Sequence, residues 1–552
     1  MNVVFYFPLF AVFIFLYLFY YYVVHPAIIS PLSKIPPGHP TASFLPLWIW
    51  WKRRIGLESR TIGAAHQRLG PVVRLAPNEV SVASLDGLRK IYVGGFNRTE
   101  WFLQFSNFDG TPNLASMLHS NVHTTRRRSV SNIYSKSYLF GSSEFQKLAK
   151  ICVLDRLLPV LEEAARADIS IDIYSLGCGF GAEFFSGYAF GSSFGLDLVR
   201  RGREDERERF LKNDMTKLMG WKGAKLAAKK LENQLLQMCM AAEKHLKSRS
   251  SDVKDGKLQQ IESEVLERTS TYPVVYAQLI GSIRTKENIS DPQDAMVLAA
   301  SEIFDNTEAS TVGVGIAVTY AIYELSRRPT VQNSLRRELA AAELPLKYPS
   351  QQQSLSTMVL RKLDALPILD SLVMETLRRY TPVPGPLRRY VPKGGTTIDG
   401  YFIPAGVTIS SSSYALHRQK DVYPQAESWQ PERWTSTTDS TTIRHSKQIE
   451  SDESLENVRS EQDLRRWFWP FGSGGRMCIG NHFAMTGQFL RPSVRLRTST
   501  YHFIEIKLLL ASVYLNYNTT IIDDFGIQQM DAVVGAPVGL KLVVGLSRVA
   551  DD

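Results

Sequence analysis

Cysteine is scarce in this sequence of 552 residues, which contains only four. Cys152, Cys178, Cys239 and Cys478 are widely separated, and no two of them form a CxxC pair. This spacing argues against a disulfide framework and a paired-cysteine zinc or redox site, and it favours a reducing compartment. Long runs of Lys and Arg are also missing, so the net charge of +10 indicates an acidic partner or an anionic membrane surface rather than nucleic acid.

Charge is absent from Val3 to Val24, a run of 22 residues. This length is sufficient to span a hydrocarbon layer of about 30 Å, and no basic segment precedes it as in a signal peptide. We therefore predict a transmembrane anchor over residues 1–24, followed by a stiff proline-rich linker over residues 25–40. The basic cluster Lys52–Arg54 follows the anchor, so the positive-inside rule predicts that the rest of the chain is cytosolic.

Three tryptophans, Trp48, Trp50 and Trp51, stand beside that basic cluster. Aromatic residues next to cations are typical of a helix that lies on a membrane surface. An aromatic patch in the core of the folded domain is the alternative, and the sequence leaves both interpretations open.

A glycine-rich loop around Cys478 carries the strongest chemical pattern of the chain. A single thiolate can bind the iron of a haem from one side. The glycines on either side allow the backbone to pass close to a flat macrocycle, Arg476 provides a cation for a haem propionate, and Phe471 can shield the sulfur from water. A buried structural cysteine beside a glycine turn is the alternative.

This loop resembles the haem-binding loop of the cytochrome P450 superfamily, because all five fixed positions match. They are Phe471, Gly474, Arg476, Cys478 and Gly480. The resemblance, which is closest to fungal microsomal members, implies a mainly α-helical fold with a small β-region, preceded by one N-terminal transmembrane helix. Residues 41–552 would form the haem-thiolate catalytic domain, with haem b as cofactor and Cys478 as the axial ligand of its iron.

The same resemblance assigns further residues to the haem. His123 and Arg127, four residues apart on one helix face, would bind its propionates, and so would Arg389. Arg126 and Arg128 would instead form a solvated basic face that binds the reductase.

Glu375 and Arg378 form a Glu-x-x-Arg pair that is followed by Pro431-Glu-Arg433. In the family, two such arginines and the glutamate form a buried network behind the haem loop. Glu375, Arg378 and Arg433 are therefore predicted to be structural rather than catalytic. Short strands are predicted at Val72–Leu75 and Glu79–Val82.

A long helix is predicted to start at the cap Asp291 and to end before Pro329. It resembles the helix that crosses the distal side of the haem, but it departs from the family at one point. The acid and alcohol that relay protons for dioxygen cleavage fall on Val312 and Gly313. Ser310, Thr311 and Glu308 could replace them through water, and Ser310 and Thr311 are the candidate catalytic residues.

The resemblance implies monooxygenation of an apolar small molecule of fungal secondary metabolism. Electrons would come from NADPH through a cytochrome P450 reductase, with cytochrome b5 as a further electron donor. The enzyme would lie in the endoplasmic reticulum membrane. Because the acid–alcohol pair is missing, a non-oxygenating haem-thiolate isomerase or dehydratase and an inactive haem protein stay open as alternatives.

Three further segments are set apart by their composition. Gly177–Gly181 resembles a dinucleotide loop, but it lacks the preceding strand and is predicted to be helical. Residues 435–460 are rich in Ser, Thr and Asp and are predicted to be a flexible surface loop. Residues 487–504 interrupt a helix that would be continuous if Thr486 were joined to Glu505, so they are interpreted as a retained intron translated in frame.

Overall fold

The computed structural model describes residues 3–255, 271–287, 289, 291–349, 355–435, 461–480 and 504–549. Within these ranges the fold is mainly helical, as the sequence predicts. The helices of the N-terminal half are α1 Val3–Phe19, α2 Leu47–Arg54, α3 Glu58–Leu69, α4 Leu85–Leu88, α5 Ser120–Val130, α6 Lys136–Gly141, α7 Ser143–Lys150, α8 Leu158–Ala167, α9 Ile173–Phe190, α10 Glu204–Leu218 and α11 Ala224–Asp255. Those of the C-terminal half are α12 Val274–Lys286, α13 Pro292–Ser326, α14 Pro329–Ala341, α15 Thr357–Asp364, α16 Pro367–Arg379, α17 Ser413–Leu416, α18 Glu461–Trp467 and α19 Ile504–Asn516.

Three small sheets make up the β-structure of the described residues. Their strands are β1 Val72–Ala76, β2 Glu79–Val82, β3 Ile171–Asp172, β4 Arg389–Tyr390, β5 Thr396–Ile398, β6 Tyr401–Ile403, β7 Thr408–Ser410, β8 Tyr517–Asp523 and β9 Val543–Arg548. The sheets have the orders β1-β2-β7-β4, β3-β9-β8 and β5-β6. The hairpin of β1 and β2 confirms the two strands predicted from the sequence.

Helix α13 has 35 residues and passes through the core, a path of about 50 Å. Its start is as predicted, because the Asp291 side chain accepts hydrogen bonds from the backbone N–H groups of Gln293 and Asp294. It packs closely against α9, where a Cβ atom on Gly181 would lie 2.5 Å from the Ser310 carbonyl oxygen. The glycines of α9 therefore allow two helices to touch, and the prediction of a helix rather than a dinucleotide loop is confirmed.

The N-terminal segment is helical for longer than the predicted anchor. After α1 the chain continues in wider, π-helical turns over Tyr20–Ile29, and Leu9–Ile29 forms an apolar helical stretch of 21 residues with mean hydropathy 1.9 and no buried part. The proline-rich stretch after it is packed on the domain rather than free. Pro37 pairs with Arg74 of β1, and Leu32 and Ile35 are buried.

Two of the segments set apart in the sequence fall mainly outside the described residues. The predicted flexible loop 435–460 is described only at Thr435, and the predicted insert 487–504 only at Ile504. Ile504 is the first residue of α19, in which every residue from Ile504 to Leu515 is buried.

Candidate active site

The loop from Phe471 to Gly480 turns sharply and holds the cysteine near its end. Gly474 has φ = 71°, and a Cβ atom there would lie 2.1 Å from the Tyr92 carbonyl oxygen, so only glycine fits this close approach. The Cys478 N–H donates a hydrogen bond to the Phe471 carbonyl oxygen at 3.0 Å. The loop is therefore fixed at both ends of the matched pattern.

Cys478 differs from the other three cysteines of the chain. Cys152, Cys178 and Cys239 are fully buried, whereas Cys478 is exposed even though its thiol is desolvated by surrounding protein atoms, so we infer that it borders an open space within the fold. Surrounding protein atoms still raise the pKa of the Cys478 thiol, mainly by desolvation, while the positive charge of Arg127 opposes that effect. A metal ion at the sulfur would reverse this balance, because coordination favours the thiolate.

Four arginines and one histidine lie around this space, and the sequence predicts four of the five as propionate ligands. The five residues are Arg98, His123, Arg127, Arg389 and Arg476. Their proximity is visible in the pKa of His123, which burial and then the charges of the four arginines lower to about 3. The imidazole is therefore neutral at physiological pH.

Several polar atoms of this cluster have no hydrogen-bond partner among the described residues. They are Nδ1 of His123 and the Nε atoms of Arg98 and Arg476, all buried. Unsatisfied buried donors are costly, and a group of like charges without carboxylates attracts an anion. The carboxylates of a haem would satisfy both requirements, so the residues present fit that cofactor.

The positions of the predicted ligands are explained by backbone contacts. Arg127 on α5 donates to the Met477 carbonyl oxygen at 2.6 Å, which brings α5 against the cysteine loop. Arg476 donates to the carbonyl oxygens of Met117 and Leu118 at 2.5 and 2.6 Å. The residues before α5 are thereby held against the same loop.

Arg98 is the site residue that the sequence analysis missed. It forms a β-bridge with Arg389 and donates to the carbonyl oxygens of Leu114 and Ala115. Burial lowers its pKa well below the usual value, and the charges of Arg389 and Arg476 lower it further. The only signal in the sequence was an arginine in an aromatic segment, which does not by itself indicate a ligand.

The predicted Glu-Arg-Arg network is present in the fold. Arg378 donates to both carboxylate oxygens of Glu375 at 2.7 and 2.8 Å, and Arg433 donates to one of them at 3.1 Å. Burial alone would raise the pKa of Glu375, but Arg378 and then Arg433 bring it below the usual value. Glu375 is thus an ionised, fully paired carboxylate rather than a reactive one.

This network continues to the cysteine loop through His417. The Nδ1–H group of His417 donates a hydrogen bond to the Arg378 carbonyl oxygen at 3.1 Å, and Nε2 accepts one from the Trp469 N–H at 2.8 Å. The Trp469 indole in turn donates to the Ser473 hydroxyl at 3.0 Å. A chain of buried hydrogen bonds therefore links α16 to the residues that carry Cys478.

On the opposite side, α13 presents an open stripe. Ala309 is exposed, while Asp305 and Gly313 are half-buried, and the spacing of four puts all three on one helix face. The charge of Asp305 adds to the effect of burial in raising the pKa of Cys478, so this face looks toward the thiol.

The two predicted catalytic hydroxyls do not lie on the open stripe. Ser310 donates to the Gly181 carbonyl oxygen at 2.9 Å, and Thr311 donates to the Thr307 carbonyl oxygen at 2.7 Å. Glu308 forms an ion pair with Lys217 of α10. A catalytic role for Ser310 or Thr311 stays a prediction to which these contacts lend no support.

One prediction on α5 was wrong. Arg126 is only 4% exposed and forms a two-pronged ion pair with Glu287, which lies just after α12. It cannot face a reductase, because its side chain is buried and paired. The local sequence pattern could not predict this pairing, because Glu287 lies 161 positions away along the chain. Arg128 is exposed, in agreement with the expectation.

An accessible thiol in a tight loop, with buried cations to one side and a long helix across from it, defines a haem-thiolate protein. Comparison with known proteins supports this class. The family model described as Cytochrome P450 matches residues 36–491. The chain belongs to the cytochrome P450 family, whose cofactor is an iron-containing haem.

The relatives of the chain are distant fungal enzymes. It is similar to the cytochrome P450 monooxygenase avaI of Aspergillus versicolor, with 26% identity over 78% of this chain and 95% of that protein. The cytochrome P450 monooxygenase orf2 of Aspergillus niger is 23% identical over 95% of this chain and 94% of its own length. Tryprostatin B 6-hydroxylase of Neosartorya fischeri is 24% identical over 82% of this chain and 74% of its own length. These relatives are named as monooxygenases or as a hydroxylase, which agrees with an oxidoreductase.

Proposed function

We propose that this protein inserts one atom of dioxygen into an apolar small molecule of fungal secondary metabolism, using electrons that a cytochrome P450 reductase draws from NADPH. The observation that carries the proposal is the accessible Cys478 thiol beside a group of five basic side chains, of which Arg98, His123 and Arg389 are buried. The printed names of the fungal relatives support the reaction class and the metabolic setting.

Each residue of the site would have a defined task in this reaction. Cys478 would ligate the haem iron, and the haem, once bound, supplies the oxygen-activating chemistry. The propionates would be held by the cationic group, chiefly Arg98, His123 and Arg476, which have unused buried donors. Glu375, with its two arginines, would keep the loop in place.

The missing alcohol on α13 requires another path for protons. A Cβ atom added to Gly313 would meet nothing within 4 Å, so there is open space where the family's hydroxyl would stand. We infer that water in this space moves protons to the distal side of the haem. Such a route would need no side chain at position 313.

The enzyme would be anchored in the endoplasmic reticulum membrane by the apolar stretch Leu9–Ile29. Its catalytic domain would face the cytosol, where the reductase, and cytochrome b5 as an auxiliary donor, would reach the side that carries Arg128. An exposed arginine suits the acidic surface of such a partner.

The carbon monoxide difference spectrum of the reduced protein tests the haem assignment. We expect the red-shifted band that a thiolate-ligated haem gives, and we expect Cys478→Ala to abolish it. Cys239→Ala removes a thiol that is buried in α11 and should keep the band. A thiolate spectrum that persists in Cys478→Ala would refute the assignment.

Turnover with a reductase separates the proposed reaction from its alternatives. A monooxygenase consumes NADPH and incorporates an oxygen atom from labelled dioxygen into the product. A haem-thiolate isomerase or dehydratase would form product without NADPH, and an inactive haem protein would form none. Either result would refute monooxygenation while leaving the haem site intact.

A further inference from the structure

Asp305 is the one acidic side chain of the open stripe on α13. It is half-buried, one helical turn before the exposed Ala309. Its charge influences both the Cys478 thiol and the Arg98 guanidinium, although burial is the main cause of the shifted pKa of each group. The geometry agrees, because Glu302, one helical turn earlier, accepts the Leu114 N–H and Arg98 donates to the Leu114 carbonyl oxygen, so this part of α13 lies against the residues around the thiol.

The Asp305 carboxylate has no hydrogen bond and no ion pair within the part of the chain that the structure describes. The two neighbouring acids on α13 differ from it in this respect. Glu302 accepts the Leu114 N–H at 2.9 Å, and Glu308 is paired with Lys217. Asp305 therefore differs from its two acidic neighbours, because its carboxyl group alone lacks a partner among the described residues.

Further carboxyl groups lie near Asp305 on α13 and α10. Asp214 on α10 is fully buried beside Glu308, and neither of its oxygens has a hydrogen-bond partner among the described residues. Burial raises the pKa of Asp305 to about 8; the carboxylates of Glu302 and Glu308 add to this, and the cations of Lys217 and Arg98 oppose it. In the empty site this carboxyl group is therefore mostly protonated at neutral pH, and a bound ammonium ion would favour its ionised form, because an opposite charge close by lowers the pKa of a carboxyl group.

The walls beside Asp305 are apolar and aromatic. Phe304, the preceding residue, meets the ring of Phe108 edge-on, with ring centroids 6.3 Å apart. The ammonium of Lys217 lies 4.4 Å from the centroid of the Phe304 ring. Phe304 is itself buried, so the half-buried ring of Phe108 is the part of this pair that an apolar substrate can contact.

We propose that Asp305 is a specificity residue that binds a protonated amine, so that the substrates are apolar molecules carrying a basic nitrogen. The amine would form a charge-assisted hydrogen bond with the carboxylate, while the apolar part would lie along Ala309 and Gly313 toward the haem. The inference rests on the proposed function, because it takes this space to be the substrate chamber.

The alternative role for a lone acid here is proton donation to the distal side of the haem. The position of Asp305 argues against it. Asp305 precedes Val312, where the family's acid would stand, by seven residues, which is about 10 Å along the helix axis. Substrate binding requires no such closeness to the iron.

Equilibrium dialysis of the full-length, haem-loaded protein tests the proposal without relying on turnover. The probes are N,N-dimethyl-phenylalkylamines of increasing chain length and their uncharged isosteres, in which a CH group replaces the nitrogen. We expect the best amine to bind at least about tenfold more tightly than its isostere at neutral pH, the size expected for a hydrogen bond to a charged group.

Two variants test whether Asp305 causes the preference for the amine over its uncharged isostere. Asp305→Asn should remove the preference for the amine and leave the affinity for the isostere within about twofold, since the asparagine keeps the shape but loses the charge. Asp294→Asn neutralises an exposed acid in the first turn of the same helix and should keep the preference.

Equal binding of amine and isostere, failure of every amine to bind, or a preference that survives Asp305→Asn would overturn the proposal. The carbon monoxide spectrum of the same samples separates this outcome from failure of the proposed function. A normal thiolate band without amine preference rejects only the role of Asp305, whereas loss of the band in the unmodified protein rejects the haem assignment itself.

Discussion

The histidine and the arginines around Cys478 indicate a binding site through their buried polar atoms that lack hydrogen-bond partners. Nδ1 of His123 and the Nε atoms of two arginines are buried without a partner among the described residues. Each such atom costs about 1–3 kcal/mol. Natural proteins retain buried polar atoms without protein partners mainly where a ligand bonds to them. These atoms are therefore stronger evidence for a bound anion than the sequence pattern alone.

Glu505 is an unusual carboxyl group in the core. It is 5% exposed, and one of its oxygens lies 3.2 Å from the Ser310 hydroxyl, while the other has no partner among the described residues. Burial raises the pKa of Glu505 to about 8. Since the folded state holds this proton more tightly than the unfolded state, the group destabilises the fold increasingly as the pH rises from its usual pKa of 4.5 toward 8.

We therefore expect Glu505→Gln to stabilise the protein most at about pH 8 and hardly at all near pH 5, with a gain that changes by roughly 1 kcal/mol per pH unit between them. Thermal or denaturant unfolding across this pH range measures the effect. Glu208→Gln, on the exposed side of α10, should show no such trend. A gain for Glu505→Gln that is the same at both pH values would contradict the assigned pKa.

At the scale of elements, the sequence predicted what local pattern determines. The cap at Asp291, the proline at the start of α13 and the Glu-x-x-Arg pair of α16 are short-range signals, and each appears in the fold as expected. Arg98 and Arg126 could not be placed in this way. Their surroundings depend on residues far away along the chain, such as Glu287 for Arg126 and Arg389 for Arg98.

Helix α13 offers a direct test of the missing alcohol. The space beside Gly313 accepts a side chain, so Gly313→Thr can restore a hydroxyl without displacing a neighbour. We expect a larger share of the electrons taken from NADPH to be recovered in product, because the hydroxyl would hold the proton-carrying water in place. The measurement is the ratio of product formed to NADPH consumed.

Gly313→Val is the matched control for this variant, since it adds the same volume without the hydroxyl. Both substitutions should stabilise the helix slightly, because glycine in a helix interior costs up to about 1 kcal/mol. An equal ratio in the valine and threonine variants would mean that filling the space, and not proton transfer, changes the efficiency.

The junction between the cysteine loop and α19 is the second element to test. Every residue from Ile504 to Leu515 is buried, and the family match stops at residue 491, inside the segment 487–504. The end of the family match supports the proposal that most of this segment is foreign to the fold, whereas the buried Ile504 at its end packs as part of α19. We expect deletion of residues 487–504 to raise the haem content per protein chain and the melting temperature.

Sequencing the mature transcript is the independent check on the proposed intron. A transcript that encodes residues 487–504 would refute it. A shortened chain that binds less haem than the full chain would show, in addition, that the segment contributes to the fold.

At the scale of the whole molecule, apolar surface is concentrated at the N-terminal end. Leu9–Ile29 is unburied, and on α2 the side chains of Leu47, Trp50 and Trp51 are 60%, 56% and 55% exposed. Trp48 is partly buried and stacks on His39, so it belongs to the domain core. The sequence left open whether these three tryptophans contact a membrane or pack in the domain core. Trp48 packs in the core, and only Trp50 and Trp51 are available to a membrane.

The charges on α2 also agree with a position of this helix at the membrane surface. Arg53 is engaged in ion pairs with Glu58 and Glu79, which fix the helix to the domain, while Arg54 is exposed. A helix with exposed aromatics and a free cation at its end, placed soon after an anchor, is expected to lie in the headgroup region. The anchor and α2 would then hold the domain at two points, which restricts its rotation relative to the bilayer.

Quenching of tryptophan fluorescence by brominated lipids measures this second contact in the full-length protein. In vesicles whose acyl chains are brominated near the headgroup, the Trp50→Phe/Trp51→Phe double variant should lose a substantial part of the quenching seen in the unmodified protein. Trp429→Phe removes a buried indole and should leave the quenched component unchanged, because that ring cannot reach lipid. If the double variant is quenched as strongly as the unmodified protein, α2 does not touch the membrane, and the domain is tethered by its anchor alone.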